Sequence, residues 1–313
     1  MRILFMGTPD FALFSLRALV EAGEEIVGVV TQPDKPKGRG YTLTPPPVKV
    51  YAEEQGLTVY QPKTLRDEAF ATLLAELAPD LIVVVAFGKI LPVNVLEYPK
   101  YGCINVHGSL LPEYRGAAPM QRAILDGKSE TGITTMRMAD GIDTGNMLLK
   151  QKIAIEEHDN FETVHDKLGA CGAGLLLETI GQLRAGTLCE IPQDESLATY
   201  AAKIEKSDCV IDFSRSAKEV HDRIRGLSPI PLAFTYTPDG KMLKVLAAAR
   251  SEAQTDALFG TVVSLDGGKI TVACGEGAID LLSVLPEGKK RMSAADFING
   301  RRIRVGDRLE RKE

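Results

Sequence analysis

Residues 1–31, MRILFMGTPDFALFSLRALVEAGEEIVGVVT, decide the fold class of this chain. The apolar run Ile3 to Met6 has the length of a buried strand and leads into the turn Gly7-Thr8-Pro9-Asp10. Apolar side chains then recur at helical spacing from Ala12 to Ala22, and Ile26 to Thr31 forms a second apolar run. A strand, a helix and a strand in this order predict a parallel sheet with a right-handed crossover.

Later segments extend the same pattern. Leu81 to Val85 is apolar throughout, which is typical of a strand buried on both faces. Residues 67–77 and 161–185 have helical spacing. We therefore predict an α/β fold with a Rossmann-like parallel sheet. The first turn contains one glycine where a dinucleotide site needs G-x-G-x-x-G, so we expect no nicotinamide cofactor.

The pattern changes after residue 206. Phe234 to Thr237 and Leu243 to Leu246 flank Pro238-Asp239-Gly240, which predicts a hairpin turn. Further short strands separated by glycine-rich turns follow, and they favour a small β-barrel of the OB-like kind. We predict a first domain over residues 1–189, a polar linker over 190–206 and a barrel domain over 207–313.

Composition narrows the class of protein. Hydrophobic residues make up 44% of the 313, enough to bury a large core. Five dispersed cysteines favour a reducing compartment, and no cysteine or histidine spacing predicts a metal site. The N-terminal apolar run is too short for a signal peptide, so we expect a soluble, cytoplasmic protein.

The candidate site lies in CINVHGSLLP (103–112) and ADGIDTG (139–145). Asn105 and His107 alternate with aliphatic residues, so both point to one face of a strand. Ligands of open α/β sheets bind at the carboxyl ends of strands, so the ends at Ala86 and His107 predict one shared cleft. With Asp143, the amide and imidazole could hold a polarised carbonyl and move a proton. The alternative is a satisfied buried pair beside an ordinary turn.

Two segments are basic although the chain has a net charge of −5. Residues 32–47 contain five prolines together with Lys35, Lys37 and Arg39, which predicts a long mobile loop without regular structure. Residues 287–313 carry nine basic against five acidic side chains. Each segment is either a solvated surface or a binding surface for nucleic acid.

Several motifs closely resemble those of the folate-dependent formyltransferases. They are Gly7-Thr8-Pro9-Asp10-Phe11, Gln32-Pro33-Asp34 with Gly38-Arg39-Gly40, Asn105 to Pro112, Tyr114-Arg115-Gly116 and Ala139 to Gly145. The resemblance implies that Asn105, His107 and Asp143 are catalytic. It also implies folate contact by Ser109, Leu110, Leu111 and Pro112, and we add Phe87 and Gly88 at the neighbouring strand end. Lys35, Lys37 and Arg39 match the segment of the family that contacts tRNA.

The function implied by this resemblance is transfer of a formyl group from 10-formyltetrahydrofolate, with no metal, to the amino group of methionyl-initiator tRNA. The first domain would bind folate and catalyse the reaction, and the barrel would bind tRNA. We expect a monomer that contacts no membrane. The alternatives are a formyltransferase acting on a small amine (a sugar nucleotide or glycinamide ribonucleotide) and a non-catalytic RNA-binding protein. Cys103 shares the Asn105 face, and we expect it to be a packing residue.

Overall fold

The computed structural model describes residues 1–37 and 42–309. The strands are β1 (Arg2–Gly7), β2 (Glu25–Val30), β3 (Lys35–Lys37), β4 (Thr42–Thr44), β5 (Val59–Tyr60), β6 (Leu81–Val85), β7 (Cys103–His107), β8 (Arg115–Gly116), β9 (Glu130–Arg137), β10 (Met147–Ala154), β11 (Tyr200–Ala201), β12 (Ala233–Tyr236), β13 (Met242–Ser251), β14 (Val262–Ser264), β15 (Ile270–Ala273), β16 (Ala278–Pro286) and β17 (Met292–Ser293). The α-helices are α1 (Asp10–Glu21), α2 (Pro47–Glu54), α3 (Glu68–Leu77), α4 (Val93–Leu96), α5 (Pro119–Leu125), α6 (Phe161–Ala185), α7 (Ala217–Gly226) and α8 (Ala294–Asn299).

The larger sheet has the strand order β10-β9-β7-β6-β1-β2-β5. Strand β1 pairs parallel with β2 and β6, and β6 pairs parallel with β7. Strand β9 runs antiparallel to β7. The predicted α/β fold with a mainly parallel sheet is confirmed, because the apolar runs at the start of the chain and at Leu81–Val85 form its buried centre.

The two faces of β7 have different neighbours. Val106 packs closely on helix α6, since a Cβ added to Gly172 would lie 3.0 Å from a Val106 methyl group. Cys103 belongs instead to the hydrophobic cluster that contains Phe87 and Val95. Side chains alternate along a strand, so Asn105 and His107 lie on the Cys103 face, away from α6.

The chain forms two compact units. The first comprises residues 1–116, 131–153 and 165–201, and the second comprises 117–130, 154–164 and the residues from 202 onward. The second unit contains an antiparallel sheet with the order β12-β13-β16-β15-β14, and β17 pairs with β16. This sheet fits the predicted small barrel-like domain. The domain limits at 189 and 206 stay a prediction.

The prediction of no regular structure over residues 32–47 is wrong for residues 35–37 and 42–44, and its part over residues 38–41 lies outside the described residues. Lys35–Lys37 and Thr42–Thr44 pair antiparallel as a two-stranded ribbon, with Pro36 opposite Leu43. A proline is tolerated there because an edge strand has one side without ladder hydrogen bonds. Among the described helices, none is both long and apolar enough to cross a membrane.

Candidate active site

The loops that follow β1, β2 and β6 are joined by hydrogen bonds at one edge of the sheet. The Thr8 hydroxyl donates to the carbonyl oxygen of Phe87 at 3.2 Å and accepts from the backbone N–H of Gln32 at 3.3 Å. The Gln32 side chain also donates to the Phe87 carbonyl oxygen, at 2.9 Å. Val84 of β6 is opposite Asn105 of β7, so the chain after Val85 leaves the sheet beside the end of β7. The strand ends at Ala86 and His107 therefore lie side by side, as the sequence predicts, and the shared cleft between them stays a prediction.

Asn105 is half-buried on this edge. Within residues 1–37 and 42–309, no hydrogen-bond partner is found for its side-chain amide. The amide has solvent access and no protein group uses it, so it is available to bind a substrate.

His107 is 6% exposed, and both of its ring nitrogens face oxygen atoms of the protein. Nε2 lies 3.0 Å from the carbonyl oxygen of Tyr114. A carbonyl oxygen only accepts, so Nε2 carries the hydrogen and the ring orientation is fixed by that bond. Nδ1 lies 3.6 Å from Oδ2 of Asp143, beyond the usual hydrogen-bond length. The ring nitrogen left for chemistry is therefore Nδ1.

Asp143 is held in an unusual backbone conformation. Its φ of +54° lies in the left-handed region, where residues with a side chain are uncommon. Oδ2 of Asp143 accepts the backbone N–H of Gly116 at 2.8 Å. A Cβ added to Gly145 would lie 1.7 Å from the carbonyl oxygen of Arg137, so only glycine fits at this end of the loop. The structure thus brings together all three residues predicted to be catalytic.

The predicted folate stretch 109–112 is packed tightly into the protein. Ser109 is completely buried, and its hydroxyl donates to the Glu113 carbonyl oxygen at 2.6 Å. Leu111 is also buried, and its carbonyl oxygen accepts from Nζ of Lys150 at 2.7 Å. Burial lowers the pKa of the Lys150 ammonium. Leu110 and Pro112 are half-buried. Folate contact by this stretch stays a prediction. Because the side chains of Ser109 and Leu111 are buried, such a contact would use Leu110, Pro112 and backbone atoms.

Phe87 and Gly88 differ in their exposure. The Phe87 ring is buried in the core, with 2% of its surface exposed. Its two neighbours in the chain, Ala86 and Gly88, are exposed. Both exposed residues have positive φ angles, +45° for Ala86 and +77° for Gly88, so the backbone bends sharply here. If this loop contacts folate, its backbone is the accessible part.

Lys35 connects the predicted tRNA segment to the loop that follows β6. Its exposed ammonium donates to Oε1 of Gln32 at 2.6 Å, and the Gln32 amide donates to the carbonyl oxygens of Phe87 and Gly88. Asp34, the nearest acidic residue in sequence, forms an ion pair with Lys49 at 3.0 Å. A hydrogen bond from Gln61, with Lys49 beside it, lowers the pKa of Asp34. The side chain of Lys37 and the whole of Arg39 lie outside the described residues.

Sequence analysis assigned no role to the residues that hold the site in place, although it quoted Tyr114-Arg115-Gly116 as a family motif. They are Tyr114, Gly116 and Gln193. Two of them act through backbone atoms, which leave no signature in a sequence, and Gln193 lies in the segment that we predicted to be a linker. Cys103 is a packing residue, as expected, because it is buried in the hydrophobic cluster that contains Phe87 and Val95. This burial raises the pKa of its thiol to about 12. Across residues 1–37 and 42–309, no three His, Cys, Asp or Glu side chains are close enough together to hold a metal ion.

An amide donor, an oriented imidazole and a carboxylate at one sheet edge are suited to transfer of an acyl-type group without a covalent enzyme intermediate. Family comparison agrees with this chemistry. Residues 1–180 match Formyl transferase, and residues 203–302 match Formyl transferase, C-terminal domain. The chain belongs to the formyl transferase family, which confirms the resemblance of the motifs.

Two closely similar curated relatives share one enzyme name within this family. A methionyl-tRNA formyltransferase of Bacillus subtilis is 51% identical over 310 residues, covering 98% of this chain and 97% of the relative. The enzyme of the same name from Bacillus velezensis is 49% identical over 309 residues, with the same coverage.

A solved structure shows the same fold at greater distance. The N-formyltransferase from Helicobacter canadensis, in complex with folinic acid and dTDP-3-aminofucose, superposes with a TM-score of 0.68 at 20% identity. The match covers 89% of this chain and 98% of that protein.

Proposed function

We propose that this chain transfers the formyl group of 10-formyltetrahydrofolate to the free amino group of methionyl-initiator tRNA, for translation initiation in the cytoplasm. The observation that carries the proposal is the arrangement of Asn105, His107 and Asp143, on a chain about half identical along its full length to methionyl-tRNA formyltransferases. Monomeric state stays an expectation.

The residues of the site fit the formyl donor. The Asn105 amide is half-buried and has no partner among the described residues, so it can donate to the oxygen of a formyl group. The exposed backbone at Ala86 and Gly88 lies at the same edge and offers polar groups to a flat ring system. The bound folate supplies an activated formyl carbon and a nitrogen leaving group.

Asn105 and His107 act on the charge that develops during transfer. The amine nitrogen of the acceptor attacks the formyl carbon, and the carbonyl oxygen becomes an oxyanion. The Asn105 N–H donates to this oxygen, an interaction worth about 3 kcal/mol in comparable sites. A proton on Nδ1 of His107 is the second donor, because Nε2 is bound to the Tyr114 carbonyl oxygen.

Proton transfer completes the reaction. The amine loses one proton as the new carbon–nitrogen bond forms, and the folate nitrogen gains one as the old bond breaks. Nδ1 of His107 and Oδ2 of Asp143 are 3.6 Å apart, so together they can carry the proton. No step needs a cysteine nucleophile, which agrees with the raised pKa of Cys103.

The second unit offers a surface suited to RNA. A cavity of about 440 Å³ is lined by several residues that include Arg215, Arg223, Phe259 and Arg308. The Arg308 guanidinium lies 5.6 Å from the centroid of the half-exposed Phe259 ring. Asp212 also lines this cavity and pairs with Arg215, so the support for tRNA contact comes from Arg223, Arg308 and the Phe259 ring, since guanidinium groups bind phosphates and exposed aromatic rings stack on bases.

Transfer to a small amine is the second candidate, and the Helicobacter canadensis structure is the observation in its favour. Because that match spans 89% of this chain, the presence of a second unit does not distinguish the two substrate classes. The full-length identity of 49–51% to methionyl-tRNA formyltransferases favours the tRNA.

Labelled 10-formyltetrahydrofolate tests the assignment directly. The enzyme is incubated with initiator Met-tRNA, elongator Met-tRNA or a dTDP-amino sugar. We expect label on initiator Met-tRNA at a rate well above the other two. Label on the sugar nucleotide alone would overturn the proposal.

A further inference from the structure

Residues 190–201, which we name the strap, run alongside the Asp143 loop. The backbones of Ile191 and Met147 exchange two hydrogen bonds of 2.8 Å. The Glu190 carboxylate accepts from Arg137 at 2.8 Å and from Asn146 at 3.0 Å. Arg137 ends β9 and Met147 begins β10, so the strap is bound to both ends of the loop that carries Asp143.

The side-chain amide of Gln193, in the strap, forms hydrogen bonds through both its nitrogen and its oxygen. Nε2 donates to the carbonyl oxygens of Asp143 and Gly145, both at 2.7 Å. Oε1 accepts two hydrogen bonds from Arg115, at 3.1 Å from Nε and 2.9 Å from Nη2. With both N–H groups and the oxygen occupied, the side chain has one orientation that satisfies it.

Arg115 in turn is fixed from the other side. It is 0% exposed, and its two terminal nitrogens donate to the two carboxylate oxygens of Glu195 at 2.8 and 2.7 Å. The hydrogen bond from this carboxylate raises the pKa of the Arg115 guanidinium. The residue after Arg115 is Gly116, whose N–H binds the carboxylate of Asp143. Gln193 thus binds the carbonyl oxygen of Asp143, and the Gly116 N–H binds its carboxylate. Gln193 is hydrogen-bonded to Arg115, and Gly116 directly follows Arg115 in the chain.

Asp143 needs this support because its backbone lies in the left-handed region, at a φ of +54°. A residue with a Cβ persists there only when its surroundings over-determine the conformation. Two charge-assisted bonds fix Arg115, and two more fix Gln193 to it, so the surroundings are rigid. A loop released from Gln193 would carry the carboxylate away from His107.

We propose that Gln193, anchored by Arg115 and Glu195, is a positioning residue that holds Asp143 against His107 for formyl transfer. This inference rests on the proposed function. Gln193 contacts neither the His107 ring nor the side chain of Asn105 among the described contacts, so it acts through the backbone of Asp143.

The test replaces Gln193 by methionine, which has similar length and no strong hydrogen-bonding group. Gln182→Met on helix α6 is the matched control, because the Gln182 side-chain amide donates to Glu178 of its own helix and lies outside the strap. For Gln193→Met we expect kcat to fall at least tenfold, with KM for folate and Met-tRNA within twofold of wild type. The control should retain full activity.

Repeating the substitution in an enzyme without the Asp143 carboxylate distinguishes a positioning role from a general loss of structure. In an enzyme that already carries Asp143→Asn, adding Gln193→Met should lower single-turnover rates by less than twofold. Equal loss in both backgrounds would overturn the inference, as would an unchanged kcat in the single variant. If Gln193→Met fails to fold, Glu195→Gln takes its place as the test variant, and Asp194→Asn is then its control. The kcat and KM values of these two variants are compared in the same way.

Hydrogen exchange gives a readout independent of activity. The Gly116 amide should exchange at least tenfold faster in Gln193→Met, while the Ile104 amide of strand β7 keeps its protection. Unchanged Gly116 exchange would refute the positioning role. A wild-type enzyme that forms no formyl-Met-tRNA would instead refute the proposed function, and the exchange experiment would still decide the position of Asp143.

Discussion

At the scale of single residues, Asn105 is the group whose removal should be least harmful to the fold. Its amide bonds to no described protein group, so Asn105→Ala leaves no buried partner unsatisfied. We expect kcat to fall by about two to three orders of magnitude, because one oxyanion donor is lost. The Michaelis constants should move less. Asn94→Ala, at an exposed asparagine of helix α4, is the control. A rate within tenfold of wild type would remove Asn105 from the mechanism.

His107 and Asp143 should behave as one unit. His107→Ala and Asp143→Ala should each impair turnover severely, and the double variant should be little worse than either single variant. Groups that pass one proton between them lose their joint function when either is removed. Single-turnover rates of the four enzymes measure this. A double variant showing the product of the two single losses would mean that ring and carboxylate act independently.

At the scale of elements, the β3–β4 ribbon and the residues between its strands form the predicted tRNA segment. Arg39 lies between Gly38 and Gly40, and a guanidinium there could bind phosphate or stack on an end base. Arg39→Ala should reduce kcat/KM for Met-tRNA at least tenfold and leave folate binding, measured without tRNA, unchanged. Arg66→Ala, at an exposed arginine of the same unit, should change neither.

Proteolysis checks the same segment in the unmodified enzyme. Trypsin cleavage after Lys37 or Arg39 should slow when Met-tRNA is added, because bound RNA would cover these side chains. Folate alone should give no protection. Equal cleavage rates with and without Met-tRNA would make this segment a surface loop without a role in binding.

The elements that could be predicted are those with their own periodicity. Helix α6 and strands β6 and β7 are long or strongly apolar, and their limits agree with the sequence within a residue or two. Strands β8 and β11 have two residues each and pair with one another, so their hydrogen bonds depend on a partner far away in the sequence. A segment of two residues is too short to show an alternating pattern, so strands β8 and β11 could not be predicted from the sequence.

The site shows the same division. Asn105, His107 and Asp143 could be predicted because side chains of functional type recur in known motifs. The carbonyl oxygen of Tyr114 could not, since every residue has one. The burial of Arg115 could not be predicted either, because its sequence neighbours include Glu113 and its carboxylate partner, Glu195, lies 80 residues away.

At the scale of the whole molecule, the basic C-terminal segment cannot simply be removed to test its role. Ala294, Phe297, Ile303 and Leu309 are buried in the core of the second unit, so deletion would disrupt that unit. Charge substitutions are the better test. Arg301→Ala with Arg302→Ala changes two exposed side chains and leaves the core intact.

We expect this double substitution to weaken tRNA binding and to flatten its salt dependence. Each lost phosphate contact should reduce the slope of log K against log salt by about 0.7–0.9. Lys241→Ala, at an exposed lysine paired with Asp239, is a control for a change of charge. An unchanged slope would exclude these arginines from the RNA-binding surface, and folate binding should be unaffected in every variant.

The ion pair between Arg115 and Glu195 also determines where this protein can be cut. A fragment ending at residue 189 keeps the buried guanidinium and discards its carboxylate, whereas a fragment ending at 201 keeps both. A buried charge left without its partner destabilises a fold strongly, because nothing then offsets its removal from water. Both fragments lack residues 202–313, so the comparison isolates the strap. The shorter fragment should unfold at lower urea concentration or fail to accumulate as folded protein, and equal urea midpoints would contradict this. A fragment of this protein that is meant to retain Asn105, His107 and Asp143 in a folded unit should therefore end at residue 201 or later.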